Sequence, residues 1–297
     1  NGVGELWSIF NFVLPGYLLS YSAFLRRYQD GTDAEDLRRR ISPFLMRRLK
    51  KEVLTELPDK IESVFTAQMS PEQAKVYEAT MMRLRQRVDS IVKEKGFERG
   101  RTEVLAAITQ LREICCHPSL VLDDYTGTSG KLDMLLDMLP EAIAKGRRVL
   151  LFSAFTSMLK ILRRELDDAG YETMYLDGDT PAQRRVEMAE QFNAGQGQIF
   201  LISLKAGGTG LNLTGADMVI HYDPWWNPAA EDQATDRAYR IGQTRKVEVI
   251  RLVTHASIEE QVVALGQRKK ALFDQLIKPG ESMVGGLSPQ EIMSLFQ

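Results

Sequence analysis

The feature that most constrains this fold is a set of short segments whose residues are apolar in succession rather than in alternation: VLLFS (149–153), IFLIS (199–203) and MVIHYD (218–223). A strand apolar on both faces must be covered on both faces, which happens where helices cross between parallel strands. The intervening segments read as those helices. Leu132, Leu135, Leu136, Leu139 and Ile143 recur at helical spacing up to Ala144, a second helix spans 157–169, and Thr180-Pro181-Ala182-Gln183 caps a third that reaches about Ala194. With further strands at Thr173–Leu176 and Val247–Val253, the expected class is α/β, a parallel sheet flanked by helices and wound by right-handed crossovers.

Upstream of this region the pattern is helical. Ser70-Pro71-Glu72-Gln73 forms a capping box that opens a long charged helix ending at Gly96, and a second helix follows Thr102 with Val104, Ile108, Leu111 and Cys115 on one stripe. These two make a helical protrusion, preceded by an extended connection over 60–68. The expected divisions are 1–60, 61–125, 126–278 and a tail at 279–297, where Ser257-Ile258-Glu259-Glu260 caps the last long helix before that tail.

Composition removes several classes of function. A net charge of −2 excludes a wholly basic nucleic-acid coat, although Arg38, Arg39, Arg40, Arg47, Arg48, Lys50 and Lys51 form a run without an acid. Such a run is either a solvated helix face or a stripe for phosphate backbone. Cys115 and Cys116 are adjacent and the chain has no other cysteine, which fits a reducing interior and no disulfide framework; with no second ligand cluster, Cys-Cys-His-Pro is not expected to hold metal. Leu6–Leu19 is apolar but broken by Asn11, Pro15 and Gly16, so neither a membrane span nor a signal peptide is expected. A chain opening on Asn1 suggests a piece of something longer, its apolar start packing against protein that lies upstream.

Chemistry concentrates at 232–243, DQATDRAYRIGQ. Asn227-Pro228 caps and starts a helix, and Ile241-Gly242 stops it, giving an expected helix over about 228–241. At 100° per residue Gln233, Arg237 and Arg240 then share one stripe, able to aim two guanidiniums at a polyphosphate in its transition state. The alternative is a solvated arginine face. Strand 199–203 runs into Leu204-Lys205-Ala206-Gly207-Gly208-Thr209-Gly210, a loop suited to close approach of phosphate or simply to a tight turn. A phosphate cradle of the form G-x-x-x-x-G-K-[ST] is missing: in the nearest candidate, 125–132, Tyr125 replaces the first glycine and Leu132 offers magnesium no hydroxyl.

Taken together, VLLFSAF, DGDTPAQRR, SLKAGGTGLNLTGADMVIHYDPWWNP and DQATDRAYRIGQ, in that order, resemble the carboxy-terminal half of the SWI/SNF-type (sucrose non-fermenting) ATPases of helicase superfamily two. GELWSIFNFVLPGYL, ISPFLMRRLKKEVLTELPDKIE, LREICCHPSL and SGKL extend the resemblance over nearly the whole chain. It implies a RecA-like sheet with an N-terminal all-helical protrusion, 1–60 being the remainder of lobe one with a basic helical insertion and linker, and 126–278 the second lobe. Arg237 and Arg240 would be arginine fingers, Gln233, Gly208 and Gly210 nucleotide contacts, and Ser153, Gly178, Arg184, Ser203, Lys205, Ala206, Gly207, Trp226, Arg47, Arg48 and Lys50 would face DNA, with Trp225 left to packing. ATP and Mg2+ would be held mainly by a first lobe carrying the P-loop. Implied partners are duplex DNA, that lobe and a DNA-bound protein complex, with no membrane; the compartment would be the nucleus in a eukaryote or the nucleoid-bearing cytoplasm in a bacterium. A non-catalytic DNA- or protein-binding module on the same fold is the competing reading.

Overall fold

A computed structural model describes residues 3–28, 33–44, 57–206 and 210–276, together with Met293 and Leu295. Six parallel strands form one sheet in the order β1-β6-β5-β2-β4-β3: β1 (Lys60–Ala67), β2 (Val149–Ser153), β3 (Thr173–Leu176), β4 (Ile199–Ser203), β5 (Met218–His221) and β6 (Val247–Thr254). β2, β4 and β5 are buried at every residue, and successive side chains enter opposite cores. Leu150, Phe152, Phe200, Ile202 and Val219 pack with Met188, Ala189 and Phe192 of α8 (Ala182–Asn193) and Ala234 of α9 (Pro228–Thr235). Val149, Leu151, Ile199, Leu201 and Ile220 pack instead with Leu132, Leu135 and Leu139 of α6 (Gly130–Ala144) and Met158, Leu159, Leu162 and Leu166 of α7 (Thr156–Asp168). Each large side chain so buried contributes about 1.5–3 kcal/mol, which explains why both faces are covered.

The protrusion consists of α4 (Pro71–Lys95) and α5 (Phe97–Cys116). Ser70 caps α4 by accepting the Gln73 N–H at 3.2 Å, and Gly96, at φ +74°, makes the break between the helices in a conformation that favours glycine. α5 begins earlier than the expected start after Thr102. The connection at 60–68 differs more. Over Lys60–Ala67 it is an edge strand, in parallel register with β6 from Lys60 opposite Val247 to Ala67 opposite Thr254. The protrusion is therefore an insertion between two strands of one sheet.

Two compact units divide the chain, one containing Asn1–Thr55 and the other Glu56–Gln267. In the first, α1 (Val3–Val13), α2 (Tyr21–Tyr28) and α3 (Ala34–Ile41) pack around Phe10, Leu18, Phe24, Tyr28, Leu37 and Ile41. The Asp36 carboxylate accepts the Tyr28 hydroxyl at 2.6 Å and Arg40 Nε at 2.9 Å. Ile9, Phe12 and Val13 remain exposed, Phe12 by 88%. Arg38, Arg39 and Arg40 lie on α3, whereas Arg47, Arg48, Lys50 and Lys51 of the same basic run lie outside the described residues. α10 (Ile258–Leu276) follows β6. Among the described residues no helix is long and apolar enough to cross a membrane.

Candidate functional site

All six strands point the same way, so their carboxyl ends gather the loops along one edge, where ligands of such sheets bind. Ser153 and Ser203 are register partners at the ends of β2 and β4. Both are buried. Ser153 Oγ donates to Asp223 Oδ1 and accepts the Phe155 N–H at 3.1 Å, so the hydroxyl expected to meet DNA phosphate is committed inside the protein. Asp223 is the hub of this corner: it also takes the Ala154 N–H at 3.2 Å and Arg112 Nη2 at 3.2 Å.

Arg112 comes from α5 and is fully buried. Besides Asp223, its Nη2 reaches the Pro224 carbonyl at 2.9 Å, and its guanidinium carbon lies 5.1, 4.9 and 5.4 Å from the ring centres of Phe155, Trp225 and Trp226. Its Nε is the one buried side-chain polar atom without a hydrogen-bond partner among the described residues, and the π faces add to Asp223 in offsetting its charge. Trp226, expected to approach the DNA strand, is half-buried and tilted against Trp225 with 4.3 Å between ring centres. The indole pair forms the lid over Arg112 and still presents one side to solvent.

After β4 the chain offers Lys205 exposed and Ala206 buried; Gly207 and Gly208 lie outside the described residues. Gly210 is exposed at φ +47°, and its carbonyl accepts Arg240 Nη1 at 3.5 Å. Beyond β3, Gly178 is exposed, its carbonyl accepting Arg185 Nη2 at 2.9 Å, and exposed Arg184 pairs with Glu187 at 3.2 Å.

The arginine segment corrects the expected helix. Asn227 Oδ1 accepts the Ala229 N–H at 3.2 Å and Pro228 opens α9 as expected, but the helix ends at Thr235. From Arg237 on the bonds leave the helical register, the Arg237 N–H going to the Ala234 carbonyl and the Ala238 N–H to Thr235, and the Arg237 carbonyl accepts the Leu213 N–H at 2.9 Å. Gln233 therefore sits on a helix, exposed, while Arg237 and Arg240 follow in turns, Arg237 buried at 8% exposure and Arg240 exposed. No helical stripe joins them. Burial first and the Arg240 charge second lower the Arg237 pKa, with Asp236 opposing. Gln243 locks this fold-back, its Nε2 reaching the carbonyls of Thr214 at 3.2 Å, Ala216 at 2.7 Å and Ala238 at 3.1 Å. An exposed guanidinium next to a glycine carbonyl, as Arg240 has, suits a polyanion.

Residues 1–120 match the SNF2-related domain and residues 130–242 the helicase conserved C-terminal domain. The chain belongs to the SNF2-related helicase family. YwqA of Bacillus subtilis, provisionally an ATP-dependent helicase/translocase, is 39% identical over the whole chain, which covers 33% of that protein. The chromatin structure-remodeling complex subunit snf21 of Schizosaccharomyces pombe is 35% identical over 95% of the chain and 26% of its own length. The Sulfolobus solfataricus SWI2/SNF2 ATPase core in complex with dsDNA superposes with a TM-score of 0.63 at 35% identity, over 93% of this chain and 60% of that one. The chain thus spans about a third or less of the length of the curated relatives it matches.

Within this SNF2-related chain the Ser129-Gly130-Lys131-Leu132 stretch has a structural explanation. A Cβ on Gly130 would lie 1.7 Å from the Gln68 carbonyl oxygen, so only glycine permits the approach, and Gln73 Oε1 accepts the Gly130 N–H at 3.0 Å. Lys131 is fully buried, its ammonium 2.6 Å from Glu259 Oε1 and 3.0 Å from the Tyr222 carbonyl. Burial alone would lower its pKa, but Cys116 and Glu259 reverse the sign. Among the described residues no three His, Cys, Asp or Glu side chains converge on a metal site.

Sequence reasoning passed over Arg112, Asp223, Glu231, Gln243 and Arg251, which hold the edge together. Glu231 is buried; Oε1 accepts the Trp225 N–H at 2.7 Å and Oε2 accepts Arg251 Nε at 2.7 Å. Arg251 also reaches Glu62 at 3.0 Å. The available signal was an acid within an apolar-to-helix junction, since a carboxylate inside DPWWNPAAE is buried only if paired.

Proposed function

We propose that this chain is the C-terminal motor lobe of an ATP-driven translocase on double-stranded DNA, presenting Arg237 and Arg240 to a nucleotide held by a first lobe. The observation that carries the proposal is the exposed Arg240 guanidinium beside the Gly210 carbonyl, in a turn that also holds Arg237 and is tied down by Leu213 and Gln243. Cations so placed stabilise the charge that develops on a transferring phosphoryl group. ATP is the substrate, with Gln233, Gly208 and Gly210 as its further contacts. Neither arginine can ligate a cation, so Mg2+ and the β- and γ-phosphates are assigned to the P-loop lobe, and this chain by itself does not hydrolyse ATP. Exposed Ile9, Phe12 and Val13 support a division in which residues 1–60 complete that lobe, 61–125 form the protrusion and 126–278 the second lobe.

Lys205, Gly178, Arg184 and the open side of Trp226 form the DNA-facing edge, with Ser153, Ser203 and Ala206 shaping it from beneath; Gly207, Arg47, Arg48 and Lys50 are further DNA contacts on this reading. Phosphate contacts of this kind read no sequence and weaken with salt. Arginines delivered across a lobe boundary make hydrolysis wait for closure, through which bound DNA governs the rate. A motor of this kind works on DNA-bound complexes, in the nucleus of a eukaryote or on the nucleoid of a bacterium.

Mixing the chain with a first lobe of its family tests the reading. DNA-dependent hydrolysis is expected to appear, and Arg240→Ala to lower it by about 10³-fold or more while salt-dependent DNA binding survives. Undiminished hydrolysis in that variant would refute the assignment.

A further inference from the structure

Glu231 joins the two halves of this site. We propose that it is a positioning residue that transmits movement of the Trp225–Trp226 turn to the arginine turn after α9. The inference rests on the reading of the Trp turn as DNA-facing and of Arg237 and Arg240 as nucleotide-facing.

The argument is mechanical. α9 has 8 residues, Pro228–Thr235. At about 1.5 Å per residue that is a stiff rod of roughly 12 Å, which moves as a unit. Its near end is fixed to the Trp turn by the Trp225 N–H bond to Glu231 Oε1, and its side to the sheet by the Arg251 Nε bond to Glu231 Oε2, both 2.7 Å. Charge-assisted bonds of that length in a buried setting are about twice as strong as neutral ones, so they outlast small displacements. Arg251 is itself held on β6 by Glu62 at 3.0 Å and stands 3.8 Å from Asp232. On the far side, Arg112 supports the turn from beneath both indoles. At its other end α9 passes directly into the Arg237 turn, pinned by Leu213. A load on the indoles has a short route through Glu231 and α9 to the arginine turn, with Glu231 at its pivot.

The test uses this chain with a short duplex DNA of mixed sequence and follows the indole N–H signals of Trp225 and Trp226 and the Nε–H signals of Arg237 and Arg240 by NMR. Wild type is expected to shift in both sets when DNA binds. Glu231→Gln keeps the acceptor for the Trp225 N–H but loses the charge opposite Arg251; Arg251→Lys keeps charge but loses the planar fork. Both variants are expected to retain the indole shifts and lose the arginine shifts. Arginine shifts that persist in both variants would overturn the proposal, and so would a wild type in which DNA moves the indoles alone. Collapse of signal dispersion in both variants would assign Glu231 a purely structural role and overturn it as well. A wild type in which DNA moves neither set counts against the DNA-facing reading itself, and the coupling falls with it.

Discussion

Lys131→Met separates a structural joint from a phosphate-binding lysine. The ammonium of Lys131 lies 2.6 Å from Glu259 Oε1 and 3.0 Å from the Tyr222 carbonyl, with both charged side chains at 0% exposure. Methionine preserves the length of the side chain and removes the charge. Glu259 then stays buried with the Thr254 N–H at 2.9 Å as its remaining close donor. Removing one partner of a buried ion pair costs about 3–5 kcal/mol, a figure that includes part of the roughly 1–3 kcal/mol for stranding the Tyr222 carbonyl, so about 4 kcal/mol is expected. For a domain the size of Glu56–Gln267 each kcal/mol shifts the melting midpoint by about 2–4 °C, giving a fall of about 8–16 °C. Urea denaturation of wild type, Lys131→Met, Glu259→Gln and the double variant measures it. The double variant, which no longer buries a lone charge, should recover about 1–2 kcal/mol relative to the sum of the singles. A Lys131→Met protein within about 1 kcal/mol of wild type would refute the reasoning, because an ammonium that faces ligand costs little stability when lost.

Two further outcomes follow from the buried groups. His221, stacked on Phe152 and 3.0 Å from Thr235 Oγ1, has its pKa pushed down to about 3 by burial and then by the Arg251 charge. A folded-state pKa below the unfolded value near 6.5 means that the unfolded chain takes the proton first, so the contribution is intact above about pH 6.5 and is lost as pH falls toward 3. Between pH 7.5 and 4.5 this amounts to about 2–3 kcal/mol, an order-of-magnitude figure, and His221→Gln should be less acid-sensitive than wild type in urea titrations by that difference; parallel pH dependences would refute it. Gly130→Ala forces a Cβ against the Gln68 carbonyl oxygen, 1.7 Å away, and backbone cannot yield as a side chain does. A loss at or above the top of the roughly 1–3 kcal/mol overpacking range is expected from its urea midpoint, and an unchanged midpoint would contradict the clash.

The readings that held were those in which local chemistry and burial make the same demand. β2, β4 and β5 are apolar on both faces, and nothing but a doubly covered parallel sheet satisfies them. Ser70 and Asn227 cap their helices because a side-chain oxygen reaches an amide two or three residues on, a distance written in the chain itself.

What sequence left open was decided by partners far along the chain. Ile61, Val64, Phe65 and Thr66 suit extended backbone, but nothing local makes Lys60–Ala67 a sheet strand rather than a connection, because its ladder is supplied by Val247–Thr254. The 228–241 pattern reads as one helix, but after Thr235 the chain folds back, held by the Leu213 amide on the Arg237 carbonyl and by Gln243, and the arginines stand in turns rather than on a stripe. Ser153 looked available because its partner, Asp223, stands 70 residues away. Amphipathic spacing, caps and glycine stops are short-range and determined the layers and the motifs by themselves. Which hydroxyl is spent, which carboxylate is buried and where the arginines point depend on contacts between distant segments, and those exist only once the sheet has closed.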